Sequence, residues 1–341
     1  MRRELVCLRP SSPAALEVRQ VPVPRPGRGE VLVRVEASSV NPIDAKRAGG
    51  YGQRLLSLKG AGQFPLVLGN DVAGCVEALG PDTSAFGVGE RVYGLVGTGR
   101  NGGAHASHVV VPQSLLRRAP PGVAPETLAV LPYCFTTMWL AVQGAGLVRA
   151  NADGKKVLVL GAAGALGRLS LQLLSSWGCR ITAICATGTS SECLALGAST
   201  AIDRGPQAIS ALPAEFDVVL NFASWEEELT LASKLSPSAL GQSTTVHPLL
   251  GHFDRLGWWK GALACRRDKQ QAKTAVRHRA HDARYSWTVF RPDQDALTEL
   301  AAYETAKRLL LPIGICASFS QADRVFARVC AGQPGRAVLT P

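Results

Sequence analysis

The chain has no run approaching the ~18 uninterrupted apolar residues of a membrane-spanning helix. Its start, Met1-Arg2-Arg3-Glu4-Leu5-Val6-Cys7, lacks the apolar block of a secretory signal. No organelle presequence is visible there either. CxxC pairs are missing: the nine cysteines (Cys7, Cys75, Cys134, Cys179, Cys185, Cys193, Cys265, Cys316, Cys330) stand singly, several inside apolar runs. This argues against a disulfide framework and for reduced, mostly buried thiols, so an intracellular protein of the cytoplasm or the mitochondrial matrix is expected. Internal repeats, low-complexity tracts and long flexible linkers are also absent, which argues against a repeat array. With 341 residues, 46% of them hydrophobic, the chain is long enough for two globular domains with full cores and too apolar for disorder.

One stretch organises the remainder. Lys156-Val157-Leu158-Val159-Leu160-Gly161-Ala162-Ala163-Gly164-Ala165-Leu166-Gly167-Arg168-Leu169-Ser170-Leu171-Gln172-Leu173-Leu174 reads as strand, tight turn and helix. Four apolar residues between Lys156 and Gly161 suit a strand buried on both faces, and Leu166, Leu169, Leu173 and Leu174 then recur at helical spacing. Gly161 allows a sharp turn, Gly164 lets an anion approach the main chain, and Gly167 lets the helix sit close to the strand, so that helix-start amides face a pyrophosphate. Glycines at this spacing also break ordinary loops, and the context decides. Apolar strands follow at Ile181 to Cys185, Ala201-Ile202 and Phe216 to Leu220, with a helical segment around Ser191 to Leu196. Such alternation implies a parallel sheet. In NAD sites an acidic residue about 20 residues beyond the glycines holds the ribose hydroxyls. This chain instead has Cys185-Ala186-Thr187-Gly188-Thr189-Ser190-Ser191, so NADP is expected over NAD.

Residues 1 to about 125 carry short alternating runs such as Val31-Leu32-Val33-Arg34-Val35-Glu36-Ala37, punctuated by Pro and Gly, which is the pattern of antiparallel strands. A helical stretch from Pro125 toward Gln143 leads into the nucleotide-binding strands. Strand character returns at Tyr285 to Phe290, followed by a helix through Leu297 to Leu309 and a strand near Ala337-Val338-Leu339. The net charge of +11 is concentrated: between Arg255 and Arg284 nine cations (Arg255, Lys260, Arg266, Arg267, Lys269, Lys273, Arg277, Arg279, Arg284) face Asp268 and Asp282, nine minus two giving +7. A solvated helix face accounts for this most simply. Anion attraction, weak membrane-surface contact through Trp258 and Trp259, and RNA binding are the functional alternatives.

Ala37-Ser38-Ser39-Val40-Asn41-Pro42-Ile43-Asp44 resembles the N-P-x-D segment of the zinc-free quinone oxidoreductase branch of the medium-chain dehydrogenases and reductases. Phe64-Pro65-Leu66-Val67-Leu68-Gly69-Asn70-Asp71-Val72-Ala73-Gly74, Gly89-Glu90-Arg91-Val92-Tyr93-Gly94, Leu131-Pro132-Tyr133 with Thr137 and Trp139, and the glycine turn follow in family order. Within the branch the chain looks most like the reticulon-interacting mitochondrial oxidoreductases, through Gly50-Tyr51-Gly52, Phe253-Asp254-Arg255-Leu256-Gly257, and Tyr285 with Trp287. The resemblance implies an α/β architecture: a GroES-like β-rich catalytic domain from residues 1–125 and 286–341, around a Rossmann NADP-binding domain with a doubly wound parallel sheet at 126–285. Zinc alcohol dehydrogenases have a Cys near the position of Asn41 and a His after the glycine matching Gly69, where this chain has Asn41 and Asn70. No cluster of four cysteines is available for a structural zinc. Both zinc sites are therefore expected to be missing.

The resemblance further implies hydride transfer from NADPH to a quinone or conjugated enone, an electrophile that needs no metal. On the substrate side Asn41 and Asp44 would line the cleft near the nicotinamide, with Tyr51 as proton donor or substrate shelf. On the cofactor side stand Thr137, Gly161, Ala163, Gly164, Ala165, Leu166, Gly167, Thr187, Thr189, Arg204 and Asn221. Thr187, Thr189 and Ser190 would replace the lysine that many relatives offer to the 2'-phosphate, and Arg204 stands where relatives often present a Tyr to the adenine and its phosphate. Plain structural roles compete: Asn41 as a turn cap, Asp44 as a helix cap, Tyr51 as a surface residue. Two other functions stay open, a nucleotide-binding adaptor or RNA-binding protein of the same fold and a reductase of carrier-linked substrates. Nucleic acid is ranked below a lipid surface as a partner, and a homodimer is compatible with the resemblance.

Overall fold

The alternating run Glu30–Val40 forms the longest strand, with Val31, Val33 and Val35 buried and Arg34 exposed. It pairs antiparallel with Asp71–Leu79, His108–Pro112 and Arg336–Thr340. The computed structural model describes residues 1–58, 60–97, 102–205, 207–306 and 309–341. Arg91–Leu95 and Leu116–Arg118 extend the same sheet on one side and Ile313–Ser318 on the other. Their inward side chains form a core of Val31, Val33, Val72, Val76, Val92, Val111 and Leu116, the packing expected when one face of a sheet is buried. The strand ends where Asn41-Pro42 opens the short helix Pro42–Ala48, with Pro in the first turn, where its missing N–H is not needed.

The second sheet is parallel, in the order Thr200–Asp203, Arg180–Cys185, Lys156–Leu160, Val218–Asn221, Gly241–Thr244, Arg284–Trp287. Strand order reverses beside Lys156–Leu160, and in open sheets of this kind ligands bind outside the carboxyl ends of the strands at such a reversal. Val157 to Leu160 are fully buried, as a strand covered on both faces requires. The helix Ala165–Ser176 buries Leu169, Leu173 and Leu174 and lies against the neighbouring strand Arg180–Cys185. A Cβ added to Gly167 would lie 2.4 Å from the Gly161 carbonyl oxygen and 2.5 Å from the Ala162 Cα, so the close fit of helix on turn depends on a missing side chain.

The chain divides into two compact units, one of Met1–Tyr133, Phe253–Gly257 and Arg291–Pro341, the other of Cys134–His252 and Trp258–Phe290. The division falls later than residue 125 because Pro125–Ala129 packs on the strands of the first sheet. The helical stretch expected from Pro125 toward Gln143 consists of two helices, Pro125–Ala129 and Pro132–Gly144, since Pro132 disfavours helical backbone at Leu131. The strand expected at Tyr285 to Phe290 is Arg284–Trp287. Likewise the helix expected through Leu297 to Leu309 runs Gln294–Ala306, and residues 307 and 308 lie outside the described residues. Most of the basic stretch lies in one long helix, Leu249–Arg279, broken at Gly257 (φ 76°, ψ −170°).

Replacing Gly167 by Ala gains up to about 1 kcal/mol of helix propensity, against a backbone clash that no side-chain rotation relieves. We expect a net loss of about 2 kcal/mol in urea unfolding, within the range for overpacking. An unchanged midpoint would show that the helix shifts freely off the turn.

Candidate functional site

In the first unit a carboxylate gathers the polar side chains. Asp71, fully buried at the head of its strand, accepts the backbone N–H of Tyr133 at 2.6 Å, the Asn41 amide at 2.9 Å and the Ser39 hydroxyl. Asn41 also donates to Ser39 at 3.0 Å, and its carbonyl oxygen accepts the Arg336 guanidinium at 2.6 Å. Burial raises the Asp71 pKa to about 6 against the opposing pull of these donors and of Arg336. His105 is buried beside them, its Nε2 3.0 Å from the Ser39 carbonyl. Burial depresses its pKa, and a neutral ring facing a carbonyl must carry its proton on Nε2.

Asp44 is buried, and its carboxylate accepts the N–H of Asn41 at 2.8 Å and of Gly69 at 3.2 Å. It thereby caps its helix and pins the Gly69 turn. Gly69 has φ +95°, and a Cβ there would lie 2.5 Å from the His105 ring. Asn41 and Asp44 are thus brought into one network. Tyr51 is half-buried, with the Lys46 ammonium 5.6 Å from its ring centre. The turn after it is fixed by Asp254, whose carboxylate accepts the N–H of Gly52 at 2.5 Å and of Arg54 at 3.2 Å.

In the second unit Gly161 turns at φ +84° and Gly164 caps the helix Ala165–Ser176. Gly164 is exposed, and an added Cβ would have only the Gly161 carbonyl within 4 Å, at 3.3 Å, so the main chain at Gly164 is open to a ligand. The first amides of a helix have no internal partner, and the turn therefore fits a dinucleotide pyrophosphate. Arg168 donates to the Ala163 carbonyl at 2.9 Å and pairs with Glu192. Glu192 is thereby tied to the glycine turn through Arg168. Thr137 is almost fully buried on the helix Pro132–Gly144.

The segment from Cys185 to Ser191 has no carboxylate of its own, but the adjacent strand brings one to its end. Asp203 lies beside Cys185 in the parallel register and accepts the Ser190 hydroxyl at 2.6 Å. The sequence signal was the two-strand register, not distance along the chain. Thr189 gives its hydroxyl proton to the Ala186 carbonyl at 2.6 Å. Ser190 and Thr189 are thus both occupied as donors, while Thr187 and Arg204 are exposed.

Asn221 is buried and wholly committed. Its amide nitrogen donates to the Ser224 carbonyl at 2.7 Å and to Glu228 at 2.6 Å, and its oxygen accepts the N–H of Ala223 and of Ser224, both at 3.2 Å. It holds Ala223 against the glycine turn, where a Cβ on Gly161 would come within 3.0 Å. Sequence reasoning missed Glu228: a buried carboxylate that accepts the Gln242 amide at 2.7 Å and is also hydrogen-bonded by Tyr285, whose oxygen accepts the Trp287 indole N–H at 2.9 Å. Burial raises the Glu228 pKa against these bonds.

The comparisons with known proteins agree with this geometry. Residues 27–121 match the model of the alcohol dehydrogenase GroES-like domain. The solved quinone oxidoreductase of Coxiella burnetii superposes with a TM-score of 0.80 over all of both chains, at 19% identity. The two sheets define the fold of a medium-chain dehydrogenase/reductase. A Danio rerio protein, mitochondrial NAD(P)H oxidoreductase RTN4IP1, is 30% identical over 91% of this chain and 83% of its own. The chloroplastic quinone-oxidoreductase QR1 of Triphysaria versicolor is 32% identical over 62% of this chain and 64% of its own. The chain belongs to the RTN4IP1 family of NAD(P)H oxidoreductases, within the quinone oxidoreductase-like branch of that superfamily.

The pH dependence of stability should reveal Asp71. A carboxylate whose folded pKa lies near 6, above its ordinary 3.8, stabilises the fold fully below about pH 4, and this contribution is lost as pH rises through 6. Asp71→Asn does not titrate. Its destabilisation relative to wild type should therefore shrink by about 3 kcal/mol between pH 4 and 7 in urea unfolding. A penalty that stays constant or grows over that window would mean that Asp71 ionises at or below its ordinary pKa.

Proposed function

We propose that the protein is an NADPH-dependent reductase that delivers hydride to a quinone or conjugated enone without zinc. The observation that carries this proposal is the donor set around Asp71. Amides (Asn41), a hydroxyl (Ser39) and a guanidinium (Arg336) meet there, groups that do not suit zinc. Asn70, at the position of the expected histidine ligand, donates its amide to the Val96 carbonyl at 3.0 Å. Among the described residues no three His, Cys, Asp or Glu side chains converge to hold a metal. Bound NADPH supplies the hydride, and such chemistry suits an acceptor whose carbonyl or double bond is already polarised. The reduced quinone or enone then takes one proton, from Tyr51 or from water.

Asn41 and Asp44 are positioning residues in this proposal. Their polar atoms are spent on Asp71, Arg336 and the Gly69 turn, and they fix the start of the helix Pro42–Ala48, after which Tyr51 stands. Thr137 and the turn from Gly161 to Gly167 hold the nicotinamide and pyrophosphate portions, and Asn221 shapes the loop packed over Gly161. Thr187 and Arg204 face the 2'-phosphate, with Thr189 closing their turn. Asp203 opposes that charge. Its carboxylate accepts the Ser190 hydroxyl, and the exposed guanidinium of Arg204 beside it in sequence is the cation for the phosphate. Mitochondrial residence is carried over from the zebrafish relative's name.

Stopped-flow oxidation of NADPH and NADH against a panel of quinones and enones tests the proposal, with NADPH preferred and at least one quinone or enone turned over. Arg204→Ala should weaken NADPH about tenfold or more and leave NADH nearly unchanged, since a charge-assisted contact contributes roughly 1.5 to 3 kcal/mol. Asp203→Ala should act in the opposite sense and tighten NADPH. Equal affinity of the wild type for both cofactors would refute the NADPH assignment, and inertness toward the whole panel would refute the acceptor class.

A further inference from the structure

Beyond the break at Gly257 the long helix buries Gly261, Cys265, Ala272 and Val276, the spacing of a helix with one face on a core. Its other face is not uniformly polar. Trp259 is 90% exposed and Leu263, one turn later, 69%, with Trp258 at 42% beside them. Around and beyond this apolar tip Lys260, Arg266, Arg267, Lys269 and Arg277 are exposed. The one acidic side chain of this stretch of helix, Asp268, is taken up by His252 at 2.7 Å and Arg267 at 3.0 Å. A solvated helix face explains the cations but not the indole, which carries about 150–250 Å² of apolar surface.

We propose that this face docks on an anionic lipid surface. Trp259 would lie at headgroup depth, where indoles concentrate, Leu263 at the acyl boundary, and Lys260 and Arg266 against lipid phosphates. A second copy of the chain fits worse, because symmetric pairing sets Lys260 and Arg266 against their own equivalents without an acidic partner. RNA would use the cations and leave Leu263 in water. The inference does not depend on which electrophile the protein reduces.

The test is co-sedimentation of the full chain with vesicles of phosphatidylcholine plus phosphatidylglycerol and, separately, of phosphatidylcholine alone. At low salt the protein should partition onto the mixed vesicles only, with a blue shift of tryptophan emission, and should be released as the Debye length falls toward ~10 Å near 0.1 M salt. Lys260→Gln with Arg266→Gln should lower partitioning about 25-fold, at about fivefold per charge. Trp259→Ser should lower partitioning and remove the blue shift. All these side chains are exposed, so thermal melting should not move. The proposal is overturned by absence of partitioning at low salt, by partitioning that Trp259→Ser leaves intact, or by equal partitioning onto neutral vesicles. Self-association or RNA binding that Trp259→Ser abolishes while vesicles are ignored would assign the face to those partners instead.

Discussion

A carboxylate taken out of water must be met by donors or give up its charge, and both units of this chain are built around one such group. Asp71 draws a hydroxyl and an amide from either side of the Ser39 to Asn41 strand end and a backbone N–H from Tyr133. Arg336 completes the network through Asn41. Glu228 does the same beside the parallel sheet, meeting Asn221, Gln242 and Tyr285 on three neighbouring strands. Losing one partner of such a group costs more than forming the bond contributes, because the remaining charge is left stranded. Strand ends that share a carboxylate are therefore held in register more firmly than short ladders would hold them.

This separates holding from contacting. Asn41, Asp44 and Asn221 have the residue types of catalytic groups, yet their atoms face inward to other protein atoms. What stays open toward solvent is main chain at Gly164 and the side chains of Thr187 and Arg204.

Much of this was legible in the residues. Val157 to Leu160 followed by Gly161, Gly164 and Gly167 specifies a strand, a turn and a closely packed helix, because a continuous apolar run gives way to a 3.6 period where the glycines stand. The run around Val33 specified a one-sided strand by its period of two. The relation of Asp203 to Ser190 was hidden, since it depends on a parallel register between strands separated by a helix. The Asp71 network was hidden too: nothing local to Arg336 says that it lies beside Ser39 and Asn41. Pro132 marks locally where the helical stretch from Pro125 divides into two helices.

Asn41 and Arg336 are 295 positions apart, which has a consequence for how the protein is made. At roughly 5–20 residues per second of synthesis, the strand ending at Asn41 waits about 15–60 s before its guanidinium partner exists. Through that interval the nascent first sheet carries Asp71 without the cation it will have in the finished fold, and its other donors must suffice or the carboxyl must stay protonated or wet. The parallel sheet, by contrast, is encoded in one uninterrupted stretch from Lys156 to Trp287 and can close as soon as it emerges. Translation order thus sets the inserted unit to mature before the unit that surrounds it in sequence.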